Sequence, residues 1–172
     1  MAAVILTVVG SDRPGLTKAL ADAVHAVGGN WLESHLARLG GRYVGSVLVD
    51  LPEGAQAALE AAAQRIDAEG LSVTVLAAVD QPAPAGTTLR LELVGQDHPG
   101  IVREVTTVLA GLGVNIEDFD TSIEPGAQSG LPLFRATARL LVPSGTSTEA
   151  VGAALEAISG EIMVDFTVSS PG

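Results

Sequence analysis

Two hydrophobic periods take turns along this chain, and they do so in a fixed order. Residues 3–9 are an apolar, β-branched run, which predicts a buried strand. Asp12-Arg13-Pro14-Gly15 halts that strand and starts a helix, with proline expected at the first helical position. Leu16, Ala19, Leu20, Ala23, Val24 and Val27 then recur at the spacing that turns one helix face inward. Gly28-Gly29 ends the helix where a left-handed residue is wanted. Residues 30–39 and 42–51 read as strands joined by a tight hairpin turn at Gly40-Gly41. Pro52-Glu53-Gly54 opens a second helix that runs to about residue 68, and residues 71–79 form a fourth strand.

The same order returns in the second half. Residues 88–94 predict a strand, 99–112 a helix and 114–123 a strand. A longer turn covers 124–130, followed by a strand over 132–142, a helix over 148–159 and a last strand over 161–169. The order βαββαβ, twice, is the split-βαβ plait. The expected fold class is therefore α+β, with two ferredoxin-like units in tandem. Each unit places four antiparallel strands on one face and two helices on the other.

The residues themselves repeat as well. Residues 10–33 and 95–118 align without a gap at an offset of 85. Gly10, Asp12, Pro14, Gly15, Gly28 and Asn30 fall on Gly95, Asp97, Pro99, Gly100, Gly113 and Asn115. Between the copies runs QPAPAGT, whose proline and glycine mark a linker. The expected domains are 1–80 and 88–172, with 81–87 as the linker. Units of this size have small cores, so packing between units or copies is expected.

Composition narrows the function classes. Hydrophobic residues make up 47% and charged residues 17% of the 172, enough apolar material for a core. Only five residues are aromatic, so that core is aliphatic. The formal net charge is −11, and the nine Lys and Arg form no cluster, which argues against direct nucleic-acid binding. Cysteine is absent, so disulfides, thiol catalysis and Cys-ligated zinc are excluded. No apolar run approaches the length that spans a bilayer, so no membrane partner is expected. The apolar N-terminus lacks a basic leader and reads as a strand, and the expected location is the cytoplasm.

The G-x-D-x-P-G turn carries the chemistry. It joins the first strand of each unit to the first helix. Gly10 and Gly95 permit a sharp turn and close approach of a ligand. The amides of Gly15, Leu16 and Thr17 open the helix N-terminus, which suits a carboxylate. Asp12 and Asp97 either cap the helix or hold an ammonium group. Asn30 and Asn115 either tolerate a left-handed turn or present an amide to the ligand. The turn thus offers both complements of an α-amino acid, and it serves equally well as plain capping.

Other clusters are weaker. Asp118 and Asp120 share a strand face and, with Glu117 and Glu124, make an acidic edge that either discourages aggregation or holds a hard cation. His25, His35 and His98 have no metal-ligand spacing, so no metal site is expected. His98, in the place of Arg13, is either merely exposed or in touch with an anion. No Walker loop, nucleophile elbow or dinucleotide fingerprint is present, so the chain is expected to be no enzyme and to use no cofactor.

The repeated turn and the Gly-x-Asn-[WI] segment after the helix resemble ACT domains, small regulatory modules that bind amino acids. The stretch from Glu33 to Tyr43 resembles the glycine cleavage system transcriptional repressors, which are tandem ACT proteins. That resemblance implies a ligand between two domains, near the turn and a strand edge. It assigns ligand binding to Gly10, Ser11, Asp12, Gly15, Leu16 and Asn30 in the first copy. In the second it assigns Gly95, Gln96, Asp97, Gly100, Ile101 and Asn115. The expected protein is a non-enzymatic regulator that senses a small amino acid, glycine or serine, as a homodimer or higher oligomer. It acts on a protein partner, such as a DNA-binding regulator. The alternative is a ligand-free interaction module that pairs through its edge strands.

Overall fold

The structure, a computed structural model, describes residues 2–67, 70–79, 82, 85–126, 130–158 and 162–168. The chain divides into two compact units, Met1–Gln81 and Pro82–Gly172. The first contains β1 (Ala2–Ser11), α1 (Leu16–Ala26), β2 (Asn30–Leu39), β3 (Arg42–Leu51), α2 (Gln56–Asp67) and β4 (Leu71–Ala77). The second contains β5 (Thr87–Gln96), α3 (Ile101–Gly111), β6 (Asn115–Pro125), β7 (Pro132–Val142), α4 (Thr148–Glu156) and β8 (Met163–Val168).

Each unit is one four-stranded antiparallel sheet, ordered β2-β3-β1-β4 and β6-β7-β5-β8. Alternation along each strand sends every second side chain to the helices. Val4, Leu6 and Val8 of β1 thus meet Val47, Val49 and Leu51 of β3, with Leu16, Leu20 and Val24 of α1 over them. In the second unit Leu89, Leu91 and Leu93 meet Ala136, Ala138 and Leu140, under Ile101, Val105 and Leu109. The cores are aliphatic, as the composition requires.

Glycine decides the helix starts. Gly15 and Gly100 have φ of 92° and 97°, a left-handed conformation that a Cβ disfavours. They are the N-caps, so α1 and α3 begin at Leu16 and Ile101, and Pro14 and Pro99 lie in the turn before the helix instead of at its first position. At the other end, Gly28 and Gly29 donate to the carbonyls of His25 and Val24, and Gly113 and Val114 to those of Ala110 and Leu109. Both helices therefore end in the same Schellman closure. Asn30 and Asn115 are ordinary strand residues; every described residue with positive φ is a glycine. The Gly40-Gly41 hairpin forms as expected, with Leu39 opposite Arg42.

Strand limits shift by a few residues. β1 and β5 run on through Ser11 and Gln96, and β4 stops at Ala77. β6 continues through Glu124 and Pro125, shortening the expected turn, whose residues 127–129 lie outside the described residues. So do residues 68, 159, 161 and 169, where expected elements ended or began, and residues 81, 83 and 84 of the expected linker. Among the described residues no helix is long and apolar enough to cross a membrane.

Candidate functional site

Strand β1 delivers the turn to one end of its sheet, beside the start of β4. Gly10 is buried there, opposite both Tyr43 and Leu71. A Cβ on Gly10 would lie 2.5 Å from the Gly70 carbonyl oxygen and 2.8 Å from the Leu71 Cα. Close approach of β4, a neighbour within the fold, thus requires glycine at this position. Ser11 extends the contact, its N–H donating to the Gly70 carbonyl at 3.1 Å.

Asp12 does not cap α1, which has no side-chain cap. Its Oδ2 lies 3.0 Å from Nε of Arg38 on β2. Tyr43 is opposite Arg38 in the sheet, and its Oη lies 2.6 Å from Thr17 Oγ1. Leu16 is a core side chain, so only its backbone faces the turn.

The second copy keeps the turn and loses the polar web around it. Ile123 stands where Arg38 stood and is opposite Phe134, which replaces Tyr43. Val102 replaces Thr17 at the offset of 85. Asp97 is half-buried, its N–H donating to the Pro132 carbonyl at 2.9 Å, and it forms no ion pair among the described residues. Gly95 is buried, Gln96 is exposed, and Ile101 is in the core, its N–H donating to the His98 carbonyl at 3.3 Å. His98 touches a carboxylate of its own unit, with Nε2 3.7 Å from Glu104.

A groove opens beside this second turn. Gly100 lines it with Pro99, Arg103, Glu104, Thr107, Val108 and Ile158, around a volume of about 570 Å³. Helix α3 has no side-chain cap, and the groove follows its first turns. The N-terminal amides and Arg103 favour an anion there, Glu104 opposes one and suits a cationic group, and Val108 and Ile158 supply apolar wall.

The asparagines lie elsewhere. Asn30 is opposite Asp50, which is opposite Ala3, seven residues before Gly10 on β1. Asn115 is opposite Leu141, which is opposite Thr88, again seven residues before Gly95. Seven strand residues span about 24 Å. Within one unit, therefore, the turn and the asparagine are at opposite ends of the sheet. A small amino acid cannot touch both of them in the same unit.

Arg38, Tyr43 and the side chain of Thr17 were not assigned to the site from sequence. The signal was present: the two-residue Gly40-Gly41 turn sets Leu39 against Arg42 and hence Arg38 against Tyr43. Arg103 and Thr107 carried no such signal. Among the described residues no His, Asp and Glu cluster is suited to a metal.

This fold and turn have relatives. Residues 2–75 match the family model of the ACT domain. The first unit is an ACT domain. The second repeats its element order and its turn, so the chain is a tandem of ACT-type domains. Over its whole length the tandem is similar to the structure of an unknown protein from Galdieria sulphuraria, at 29% identity, covering 98% of this chain and 99% of that one, with a TM-score of 0.81. It also shares its fold with a structure described as a candidate glycine cleavage system transcriptional repressor, at 16% identity, 98% coverage of both chains and a TM-score of 0.70. No curated protein matches the sequence.

Proposed function

We propose that this tandem ACT protein is a non-enzymatic regulator that senses a small amino acid. The observation that carries the reading is the second turn: an uncapped helix N-terminus beside Asp97, a half-buried carboxylate with no ion pair among the described residues. The helix amides hold the ligand carboxylate and Asp97 its ammonium group. Glycine and serine are the first ligands to try. Asn30 or Asn115 joins the same ligand only from a different unit, because its own turn is about 24 Å away. Binding then shifts how units or copies pack, and a protein partner reads the shift. With a net charge of −11, a DNA-binding partner is the route to transcription, without direct nucleic-acid contact. A cytoplasmic homo-oligomer without cofactor fits this role.

The test is a thermal-shift screen of the full chain with the twenty amino acids, then calorimetry on each hit. A ligand at a hundredfold excess over its dissociation constant stabilises by about 2.7 kcal/mol. The sensor reading expects a selective shift that Asp97→Ala removes while the fold is kept. If no amino acid shifts the midpoint, the reading falls and the edge-strand interaction module takes its place.

A further inference from the structure

The two sheets differ most on the face away from their helices. In the first unit, β1 presents Ala3, Ile5, Thr7 and Val9 there, and β3 presents Val44, Ser46 and Leu48. The register sets them in rows: Val9 with Val44, Thr7 with Ser46, Ile5 with Leu48. On β4, Leu76 extends the Ile5 row and Thr74 the Thr7 row. Arg42 and Asp50 stand on the same face at the two ends of β3. Between them the two central strands carry no charged side chain on this face. Val9 is 55% and Leu76 51% exposed, although both are large and apolar.

The second unit has the same register and the opposite chemistry. Arg90 is opposite Arg139, and Arg139 opposite Asp118; one row along, Glu92 is opposite Thr137, and Thr137 opposite Asp120. That is the polar outer face of a sheet that meets water. The same fold thus holds with either surface, so the apolar face of the first unit is not a requirement of folding. A contiguous apolar patch with a charged rim marks an interaction surface.

The rim says what covers it. Arg42 and Asp50 form no ion pair among the described residues. Ser46 lies midway between them along β3. When two copies meet face to face with their β3 strands antiparallel, a two-fold axis crosses the strands at Ser46 and Thr7. Arg42 of each copy then lies over Asp50 of the other, and the Ile5 and Leu48 row meets the Val9 and Val44 row. Parallel strands would set Arg42 over Arg42 instead. The area is sufficient. Three strands of ten residues and one of seven make a face of about 31 Å by about 19 Å, hence about 1,200 Å² for a pair, which reaches the size of a stable interface.

We propose that the helix-free face of the first sheet is a dimer interface, covered by the same face of a second copy with the strands antiparallel. The interface is isologous, so every contact occurs twice. Its centre is aliphatic and hydroxyl-bearing, and its two ends are closed by Arg42 and Asp50 pairs. The second sheet, with its opposed arginines, stays in water. This assignment does not depend on amino-acid binding at the turns.

The test is sedimentation of the full chain over a concentration series, for the wild type, Val9→Glu, Arg42→Glu, Asp50→Arg and Thr137→Glu. The expected result is a wild-type dimer that Val9→Glu dissociates and Thr137→Glu, on the second sheet, leaves intact. Arg42→Glu and Asp50→Arg alone should each raise the dimer dissociation constant about tenfold or more, because each sets like charges together twice. Mixing those two variants should recover the dimer, since both ends of the mixed pair then carry opposite charges. Recovery on mixing cannot arise from a folding defect, and Trp31 fluorescence checks the fold of each variant. A chain that is monomeric throughout overturns the proposal and leaves the face to a different protein. A dimer that Val9→Glu retains also overturns it. Single charge variants that weaken the dimer without recovery on mixing overturn the antiparallel arrangement.

Discussion

Replacing Gly10 with alanine tests whether this glycine serves packing or a ligand. The new Cβ would meet the Gly70 carbonyl oxygen at 2.5 Å and the Leu71 Cα and Cδ1 at 2.8 Å. Two of those three atoms are backbone, so no rotamer change relieves the contact. Overpacking of this kind costs about 1–3 kcal/mol. For a unit of this size that lowers the melting midpoint by about 4–8 °C for each kcal/mol. The chain carries a convenient reporter. Its single tryptophan, Trp31, packs against the core of the first unit, so its fluorescence follows that unit alone. Urea unfolding read at Trp31 should move to lower denaturant by about 1 M, given a slope of about 1–3 kcal/mol/M. Gly15→Ala is the comparison, because its Cβ meets nothing within 4 Å and its cost comes from φ alone. Trimming Leu71 should not rescue Gly10→Ala. An unchanged Trp31 transition, or full rescue by Leu71→Ala, would refute the backbone clash.

Three further outcomes follow from the contacts. Leu109→Ala removes a fully buried side chain from the second core and should cost about 2–5 kcal/mol in calorimetric unfolding, with the Trp31 transition unmoved if the units unfold independently. Ser147 caps α4 by accepting from the Ala150 N–H at 3.1 Å, so Ser147→Ala should cost about 1 kcal/mol, measured by thermal melting. Tyr43→Phe breaks the exposed bond to Thr17 and should cost no more than about 1 kcal/mol by urea titration at Trp31, a larger loss showing that the bond organises the turn.

How much of this was legible before the structure depends on whether the signal is local. The strands over 30–39, 42–51 and 132–142 have the limits their patterns predict, because glycine turns or prolines bound them. The helix starts were misplaced because proline is favoured at a first helical position, and only the backbone reveals that the following glycine is left-handed. Asp12 illustrates a harder case. Its partner Arg38 is 26 residues away, and the pair becomes visible only once the sheet order brings β2 and β1 to either side of β3. The asparagines were grouped with the turn because they are near it along the helix, yet β2 runs parallel to β1 and starts at its far end. Proximity in sequence across one helix is distance across the sheet.

The rows of the two sheets also bear on how a duplicated chain folds to one product. Repeated domains in one polypeptide are prone to exchange equivalent strands during folding. Here an exchange of β1 for β5 would set Ile5 against Arg139 and leave Arg90 opposite Leu48, since the register positions correspond. Each hybrid sheet would place a guanidinium against an aliphatic side chain, while Arg90 keeps Glu92 on its own strand and Arg139 keeps Glu117 of β6. The helix-free faces have thus diverged to the point that the two sheets are no longer interchangeable in chemistry, while the inward faces keep the shared pattern that both cores need.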